Sequence, residues 1–342
     1  MAIVADNPTG LEPVWSHFSD VYRPCLLEYL GNHGGFSGAQ LWRGETDVGR
    51  LCLRRWPLDC PNERQLAFIH KVLQQVHDQG LSFVPLPLPT RRGHTFVRHD
   101  GYLWELTAWM PGSADYGERP TPQRLQAAMH ALARFHLAAA SDGPDPLGPG
   151  PTMERRFREL RSFLNGPAAK ELRRRVPDGR WPELDQRALR LLEHVERHRG
   201  RLATLFAQPL PATLQQPVIR DIWHDHVLFE RDEVSGIVDF GTMSIDTVVV
   251  DVARLLGSFL EYDLMAWREG LRAYTAVRPL SGSQRALLSV LDETGIFAGG
   301  LVWLRWHYLE NRTFENRAGV LARVDHFLKR LECAGWSGPE PA

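Results

Sequence analysis

Two aspartates, Asp221 and Asp239, stand at the ends of a segment whose pattern predicts a β-hairpin. Asp221 follows a short apolar run, and the chain then enters a predicted strand at residues 227–229. A charged turn leads into a second predicted strand, 236–238, which ends at Asp239. Because a hairpin brings its two ends together, we expect both carboxylates at the same end. Asp221 could then orient or deprotonate a hydroxyl while Asp239 holds Mg²⁺ against phosphate groups, which is the chemistry of phosphoryl transfer.

The chain before residue 110 has mostly β character. Residues 40–43 and 49–56 have the pattern of short strands joined by a turn, which predicts a hairpin. Residues 94–98 and 102–109 predict a second β pair. Between the two pairs, residues 62–79 carry apolar side chains at helical spacing. This part of the chain therefore predicts a small sheet with one helix.

The chain after residue 110 has mostly helical character. Two Pro- and Gly-rich stretches, 110–120 and 141–151, are predicted loops. Thr121 followed by Pro122 is typical of a helix start. Apolar spacing predicts further helices at residues 155–164, 183–206, 248–261, 281–293 and 297–308. A β-rich part, a short connector and a larger helical part together predict an α+β chain with two lobes.

The segment 218–241 resembles the catalytic loop and the metal-binding Asp-Phe-Gly of protein kinases. It is most similar to that of the aminoglycoside phosphotransferase and choline kinase group. Asp251-Val-Ala253 stands where that group begins a helix with Asp-Leu-Ala, and the resemblance implies that Asp251 holds the backbone of the catalytic loop. The similarity covers roughly residues 25–310. It implies a protein-kinase-like bilobal fold with a β-rich N-lobe at 1–107, a hinge at 108–114 and a mostly helical C-lobe at 115–342.

A Gly-rich segment extends the resemblance toward a nucleotide. Gly34, Gly35, Ser37 and Gly38 resemble the loop that covers nucleotide phosphates with backbone N–H groups. Ordinary turns also produce such a segment, so the motif alone is weak. Its place just before the predicted strand at 40–43 favours phosphate binding.

The same resemblance assigns four more residues to nucleotide binding. Arg54 stands where these families place the strand lysine that grips the phosphates, and strand alternation favours Arg54 over Arg55. Glu63 opens the next helix, where the partner glutamate of that lysine belongs, and arginine can pair with it bidentately. Thr107 and Trp109 belong to a segment that looks like the strand and hinge holding the adenine edge. The resemblance thus implies ATP, or GTP, as the cofactor.

The catalytic segment departs from the family pattern. His226 occupies the usual Asn position and is therefore a candidate metal ligand beside Asp239, although imidazole is a poor Mg²⁺ ligand. With Asp239 as the metal-binding carboxylate, the site is expected to use one metal ion, a softer ion such as Mn²⁺, or none. Ile219-Arg220 replaces His-Gly before Asp221, and protein kinases carry arginine there, so Arg220 is retained as a catalytic residue. A zinc site at residues 223–226 is disfavoured because it offers few ligands.

A helical face near the C-terminus offers a candidate acceptor site. Trp303, Trp306 and Glu310 fall at i, i+3 and i+7, and they could form an aromatic, acidic pocket for a cationic acceptor. Aromatic stripes of this kind more often belong to a core. The favoured interpretation is therefore that the tryptophans pack the helical lobe and that Glu310 pairs with Arg312 or Arg317.

The composition is that of a soluble globular protein, with 43% hydrophobic and 24% charged residues in 342. A formal net charge of −1 gives no sign of nucleic acid or an anionic membrane as a bulk partner. The four cysteines match no zinc or redox motif, and the first residues do not have the pattern of a signal peptide. These features predict a cytoplasmic protein.

Three functions follow from these observations. The leading one is a small-molecule phosphotransferase that moves the γ-phosphoryl group of ATP or GTP to a hydroxyl. The altered positions at Arg54 and His226 motivate an alternative, a catalytically impaired pseudokinase that binds nucleotide or metabolite as a regulatory module. A protein kinase proper is disfavoured because no Ala-Pro-Glu activation segment follows Asp239. No motif identifies the acceptor.

Overall fold

The computed structural model describes residues 10–32, 38–140, 146–261 and 263–333. The chain divides into two compact units. Unit 1 holds the described residues up to Ala139 together with His224–Ser244, and unit 2 holds the remaining described residues. The lobe boundaries expected from the sequence stay a prediction.

The elements follow the chain in a β-rich part and then a helical part. Up to residue 140 they are α1 (Glu12–Trp15), β1 (Leu26–Gly31), β2 (Gln40–Thr46), β3 (Gly49–Arg55), α2 (Glu63–Asp78), β4 (Val97–His99), β5 (Tyr102–Ala108) and α3 (Pro122–Ala139). From residue 146 they are β6 (Leu147–Gly148), α4 (Pro151–Asn165), α5 (Ala168–Arg175), α6 (Pro182–Arg197), α7 (Arg199–Ala207), β7 (Thr213–Leu214), β8 (Gln216–Val218), β9 (Val227–Glu230), β10 (Glu233–Ile237), β11 (Ser244–Asp246), α8 (Val249–Leu260), α9 (Leu264–Val277), α10 (Gly282–Leu304) and α11 (Arg317–Cys333). A π-helical turn, Arg305–Leu309, follows α10.

Five strands of unit 1 form one antiparallel sheet in the order β1-β2-β3-β5-β4. β2 and β3 form the predicted hairpin, and β4 and β5 form the second predicted pair, although β4 begins only at Val97. β3 pairs with β5 so that Arg54 lies opposite Glu105 and Cys52 lies opposite Thr107. Directly opposed side chains share one face of a sheet. The register therefore puts these four side chains on the same face.

Helix α2 covers the predicted helix at 62–79. Asn62 caps it by accepting the N–H of Gln65 at 2.9 Å. The predicted apolar face is buried: Leu66, Ile69, Leu73 and Val76. The sequence pattern for this helix is confirmed, and α2 packs against α3 within unit 1.

β9 and β10 form the predicted hairpin of the catalytic segment. The N–H of Val238 donates to the carbonyl of His226 at 2.9 Å, so the two ends of the hairpin meet there. Phe240 packs on Phe135 of α3 with ring centroids 5.6 Å apart. The hairpin thus fixes Asp239 within unit 1.

Some helices of unit 2 begin and end at other residues than the sequence predicts. The single helix predicted at 183–206 is two helices, α6 and α7. The ring of His198 bonds the carbonyl of His194 at 2.8 Å, and its backbone (φ −99°, ψ 9°) leaves the helical region. The helices predicted at 281–293 and 297–308 are continuous as α10. Helices α5, α9 and α11 lie where the sequence pattern predicts no helix.

Helix α10 is the central helix of unit 2. Ser281 and Gln284 begin it with a reciprocal capping box. With the π-helical turn it has the length and apolarity of a membrane span, and 56% of its most apolar window is buried. It packs against α4, α6, α8 and α11. A helix that is apolar on most sides fits the interior of such a bundle.

Candidate active site

The backbone just before Asp221 is fixed by Asp251, a fully buried residue in the first turn of α8. The N–H of Ile219 donates to Oδ2 of Asp251, and the N–H of Arg220 donates to Oδ1, both at 2.7 Å. Arg220 has a φ of +68°, a backbone conformation that is uncommon outside glycine and that clusters at functional sites. The expectation that Asp251 holds the catalytic-loop backbone is confirmed.

Arg254, one turn after Asp251 on α8, holds the carboxylate of Asp221. Its Nη2 donates to Oδ1 of Asp221, and its guanidinium lies 5.4 Å from the centroid of the Trp223 ring. The side chain of Asp221 is 45% exposed, so the carboxylate is oriented and still accessible. Arg254 was not predicted as a site residue. The signal was available, because an arginine three residues after Asp251 interrupts an apolar helix.

Arg220 adds positive charge near Asp221. Burial, and then the like charge of Arg155, lowers the pKa of Arg220. Three aspartates, Asp221 among them, oppose that shift. The catalytic role of Arg220 stays a prediction.

The two predicted metal ligands, His226 and Asp239, lie together in unit 1. Nε2 of His226 is 3.7 Å from Oδ2 of Asp239. Asp239 has a φ of +66°, so it shares the uncommon backbone conformation of Arg220. Asp221 belongs to unit 2, and its proximity to Asp239 stays a prediction.

Arg54 of β3 is a partly buried cation of unit 1. Its Nη1 is 3.6 Å from Oε1 of Glu105, and its guanidinium lies 4.7 Å from the centroid of the Trp56 ring. Burial lowers the pKa of Arg54, but the charges of Glu105 and Asp239 help to raise it, and the net shift is upward. Arg55 instead lies over aromatic rings of β5. The choice of Arg54 over Arg55 therefore agrees with the geometry.

Glu105, and not Glu63, is the carboxylate partner of Arg54. The sheet register puts the buried Glu105 directly opposite Arg54. Glu63 is the first residue of α2, is exposed, and pairs with Arg98 at 2.8 Å. The expected pair between Arg54 and Glu63 is therefore wrong, because Glu63 points its charge to the neighbouring strand β4. The sequence did carry a signal for Glu105, which is a charged residue inside an apolar strand.

His70 connects α2 to Glu105. Nε2 of His70 lies 2.6 Å from Oε2 of Glu105, and Nδ1 lies 2.7 Å from Oγ1 of Thr95. Burial raises the pKa of Glu105, but the hydrogen bond from His70, and then the charges of His70 and Arg54, lower it more. The net shift is downward, so Glu105 is ionised at neutral pH. Helix α2 is thus connected to Arg54 through the side chains of His70 and Glu105.

A small cavity of unit 1 is lined by two of the predicted nucleotide-binding residues and by one predicted metal ligand. Arg54, Glu105, Thr107 and Asp239 are among the residues that line it. Trp109 is not a lining residue of this cavity, and its N–H donates to a carbonyl of β3 at 2.9 Å. Binding of the adenine edge by Thr107 and Trp109 stays a prediction.

The predicted Gly-rich loop is described only at its last residue. Gly34, Gly35 and Ser37 lie outside the described residues. Gly38 has a φ of +81°, which glycine adopts without strain. A Cβ at this position would meet nothing closer than Pro57, at 3.8 Å. The backbone conformation, rather than the available space, is thus what favours glycine here.

The helical face with Trp303, Trp306 and Glu310 packs within unit 2. Trp303 is buried and meets Trp306 edge-on, with centroids 5.1 Å apart. The guanidinium of Arg312 lies 4.5 Å from the Trp306 ring, so a cation of this chain already covers it. Glu310 pairs with Arg305 at 3.0 Å, because the π-helical turn aligns residues five apart. The packing interpretation fits these residues better than an acceptor pocket, and the expected pairing of Glu310 is wrong.

The donor atoms of unit 1 fit a phosphate-bound Mg²⁺. Within the described ranges, no three His, Cys, Asp or Glu side chains gather as a complete metal site. Asp239 supplies a hard oxygen donor, and Mg²⁺ is usually held by one or two carboxylates together with water and substrate phosphates. Asp239 lines the same cavity as Arg54, whereas Glu105 is engaged by Arg54 and His70, and this set suits that arrangement better than a metal held by protein alone.

Sequence comparisons connect these features with known proteins. A model of the phosphotransferase enzyme family matches residues 28–286. Homoserine kinase of Brucella anthropi is 28% identical over 236 residues, which are 67% of this chain and 65% of that protein. The chain therefore spans slightly less than two thirds of the length of that relative.

Solved structures share the fold. Spectinomycin phosphotransferase in complex with ADP and spectinomycin aligns with a TM-score of 0.64 at 12% identity, over 94% of this chain and 96% of that one. Amicoumacin kinase in complex with AMP-PNP and Ca²⁺ aligns with a TM-score of 0.62 at 14% identity, over 95% and 93%. These likenesses confirm the protein-kinase-like α+β fold. Since the family model covers most of the chain, the protein belongs to the phosphotransferase enzyme family.

Proposed function

We propose that this protein transfers the γ-phosphoryl group of ATP, or of GTP, to a hydroxyl of a small metabolite. The observation that carries the proposal is the cavity of unit 1, where Arg54 and Asp239 are lining residues. A cation for phosphate oxygens and a carboxylate for a hard metal ion are the two groups that a metal–nucleotide complex needs. Family membership and the nucleotide-bound structural neighbours support the same function.

Arg54 is the group we assign to the α- and β-phosphates of the nucleotide. Its two partners in unit 1, Glu105 and the Trp56 ring, restrain the guanidinium. A guanidinium group that is already restrained loses little conformational entropy when it binds an anion. The segment Gly34–Gly38 would close over the phosphates with backbone N–H groups.

Asp239 is the group we assign to Mg²⁺, with Mn²⁺ as an alternative that the neighbouring His226 would favour. When bound, the ion neutralises charge on the transferring phosphoryl group. His226 lies 3.7 Å from the Asp239 carboxylate. It can therefore orient that carboxylate by a water-mediated contact even without binding metal itself.

Asp221 is the group we assign to the acceptor hydroxyl, which it would orient and deprotonate. Asp251 holds the backbone before it, and Arg254 holds its carboxylate. Both supports come from α8, so one helix sets the position of the reacting group. Arg220, with its left-handed backbone, belongs to the same fixed loop.

The names of the relatives suggest which acceptor to test first. The sequence relative above is a homoserine kinase, and the structural neighbour with the TM-score of 0.64 is a spectinomycin phosphotransferase. Both names describe phosphoryl transfer to a small molecule. We take L-homoserine as the first acceptor to test. All four cysteines are free thiols, which supports the proposal of a cytoplasmic enzyme.

The test combines nucleotide binding with turnover. Thermal melting is measured with ATP or GTP, each with and without Mg²⁺ or Mn²⁺, and ADP or GDP release is then followed with a panel of hydroxyl acceptors. We expect metal-dependent stabilisation by nucleotide and acceptor-dependent release of the diphosphate. Stabilisation by metabolites alone, with no nucleotide effect and no hydrolysis, would contradict the proposal and favour a pseudokinase.

A further inference from the structure

A polar cavity of unit 2 is lined by Arg254, the residue that holds Asp221. Arg156, Arg254, Asp292 and Arg330 are its charged lining residues, and apolar side chains of α8, α10 and α11 complete it. Arg330 donates twice to the carboxylate of Asp292, at 2.8 and 2.7 Å, so these two charges compensate each other. Arg254 has Asp221 as its counter-ion. Of the charged lining residues, Arg156 is the one whose positive charge is not compensated by an ion pair with a carboxylate of the described residues.

Arg156 meets only neutral acceptors. Its Nη1 donates to the carbonyl of Leu291 at 2.6 Å and lies 3.4 Å from Oγ1 of Thr294. Across the part of the chain that the structure describes, no carboxylate forms an ion pair with it. Burial, and then the like charges of Arg254 and Arg155, lowers the pKa of Arg156 to about 10. Arg156 is only partly exposed, and a cation that is largely removed from water is unfavourable unless an anion joins it.

Arg254 is a second cationic side chain in the lining of the same cavity. Its Nη2 is engaged by Asp221, whereas its Nε is buried and has no hydrogen-bond partner. Buried donors in folded proteins nearly always find an acceptor, so an acceptor atom that reached this N–H would stabilise it. Arg156 and Arg254 thus contribute net positive charge to the lining of one cavity.

We propose that this cavity is the carboxylate subsite of the acceptor site, and that the acceptor is a small hydroxy acid or hydroxy amino acid. The inference rests on the proposed function, because it takes the acceptor hydroxyl to lie at Asp221. Arg254 touches Asp221 and also lines the cavity, so a short molecule can reach both. The positive wall disfavours polycationic acceptors, for which like charges would meet Arg156 and Arg254.

Matched ligands with and without the carboxylate test the subsite. Binding is measured by titration calorimetry, with and without ADP and Mg²⁺, for L-homoserine against 3-aminopropan-1-ol and for 4-hydroxybutyrate against propan-1-ol. Hydrogen bonds to charged groups predict that the preferred acid binds at least about tenfold more tightly than its matched alcohol. Arg156→Gln should lose that preference, and Arg156→Lys should keep part of it. Arg174→Gln, on the exposed face of α5, is the control and should behave like the wild type.

The outcomes separate the subsite from the proposed function. If no acid binds the wild type, or if Arg156→Gln binds acids as tightly as the wild type does, the subsite is overturned. A second outcome is that acids bind in a manner that depends on Arg156, but no acceptor causes ADP release. That outcome supports the subsite and contradicts the proposed function. A third outcome is that the acid and its matched alcohol are both acceptors with equal kcat/KM for ADP release. That outcome supports the proposed function and overturns the subsite. Urea unfolding of both Arg156 variants shows whether each remains folded.

Discussion

Replacing Glu105 with glutamine tests the network that restrains Arg54. Glutamine keeps the size of the side chain and can still hydrogen-bond His70, but it removes the charge opposite Arg54. Removing one partner of a buried ion pair costs roughly 3–5 kcal/mol. The Arg54 side chain is 19% exposed and lies 3.6 Å from Glu105. We therefore expect the free energy of unfolding to fall by about 3 kcal/mol, the low end of that range.

Urea unfolding followed by tryptophan fluorescence measures this loss as a shift of the midpoint at an unchanged slope. Glu63→Gln is the matched control, because it removes an exposed pair with Arg98 and should change stability by less than about 0.5 kcal/mol. The double variant Arg54→Met, Glu105→Gln should be more stable than Glu105→Gln alone, since it leaves no cation unpaired. Equal midpoints for Glu105→Gln and Glu63→Gln would refute the reasoning.

The pH dependence of the same comparison follows from the lowered pKa of Glu105. A carboxyl with a depressed pKa in the folded state contributes stability that is fully present above its ordinary value of 4.5. That stability is lost as the pH falls through the lower pKa of the folded state. The difference in unfolding free energy between wild type and Glu105→Gln should thus stay constant above pH 4.5 and shrink below it. A difference that grew on acidification would contradict an ionised Glu105.

Two further substitutions test the local supports of the site. Asp251→Ala removes the acceptor of two buried backbone N–H groups, so we expect a loss of about 2–4 kcal/mol in urea unfolding, and an unchanged midpoint would contradict the anchoring role. Gly241→Ala would bring a Cβ within 2.8 Å of the Trp56 ring and should cost about 1–3 kcal/mol. Gly117→Ala, with no atom within 4 Å of its Cβ, is the control, and equal effects of the two would contradict the packing.

The elements around the site follow from local patterns in the sequence. The β2–β3 hairpin, the capped helix α2 and the β9–β10 hairpin are all visible as short-range periodicity bounded by turn residues. Their registers then place Arg54 and Asp239 in unit 1. Helix α9 escaped prediction although Asp263 caps it, because its apolar spacing is interrupted by charged residues.

The partners of the site residues could not be predicted in the same way. The choice of Glu105 over Glu63 depends on a cross-strand register between residues about fifty positions apart, which local periodicity does not encode. The link from Arg254 to Asp221 depends on how α8 packs against the catalytic loop. The π-helical turn after α10, which pairs Glu310 with Arg305, has no sequence signature. Tertiary packing decides all three.

Acceptor-dependent release of ADP by Asp221→Asn and Asp239→Asn tests the central claim most directly. Each variant is compared with the wild type and with Asp232→Asn, which alters an exposed carboxylate in the turn between β9 and β10. Removing a base or a metal-binding carboxylate should lower kcat by at least about a hundredfold, while Asp232→Asn should retain near wild-type turnover. Full turnover by either Asp221→Asn or Asp239→Asn would contradict the assignment of these two aspartates to phosphoryl transfer.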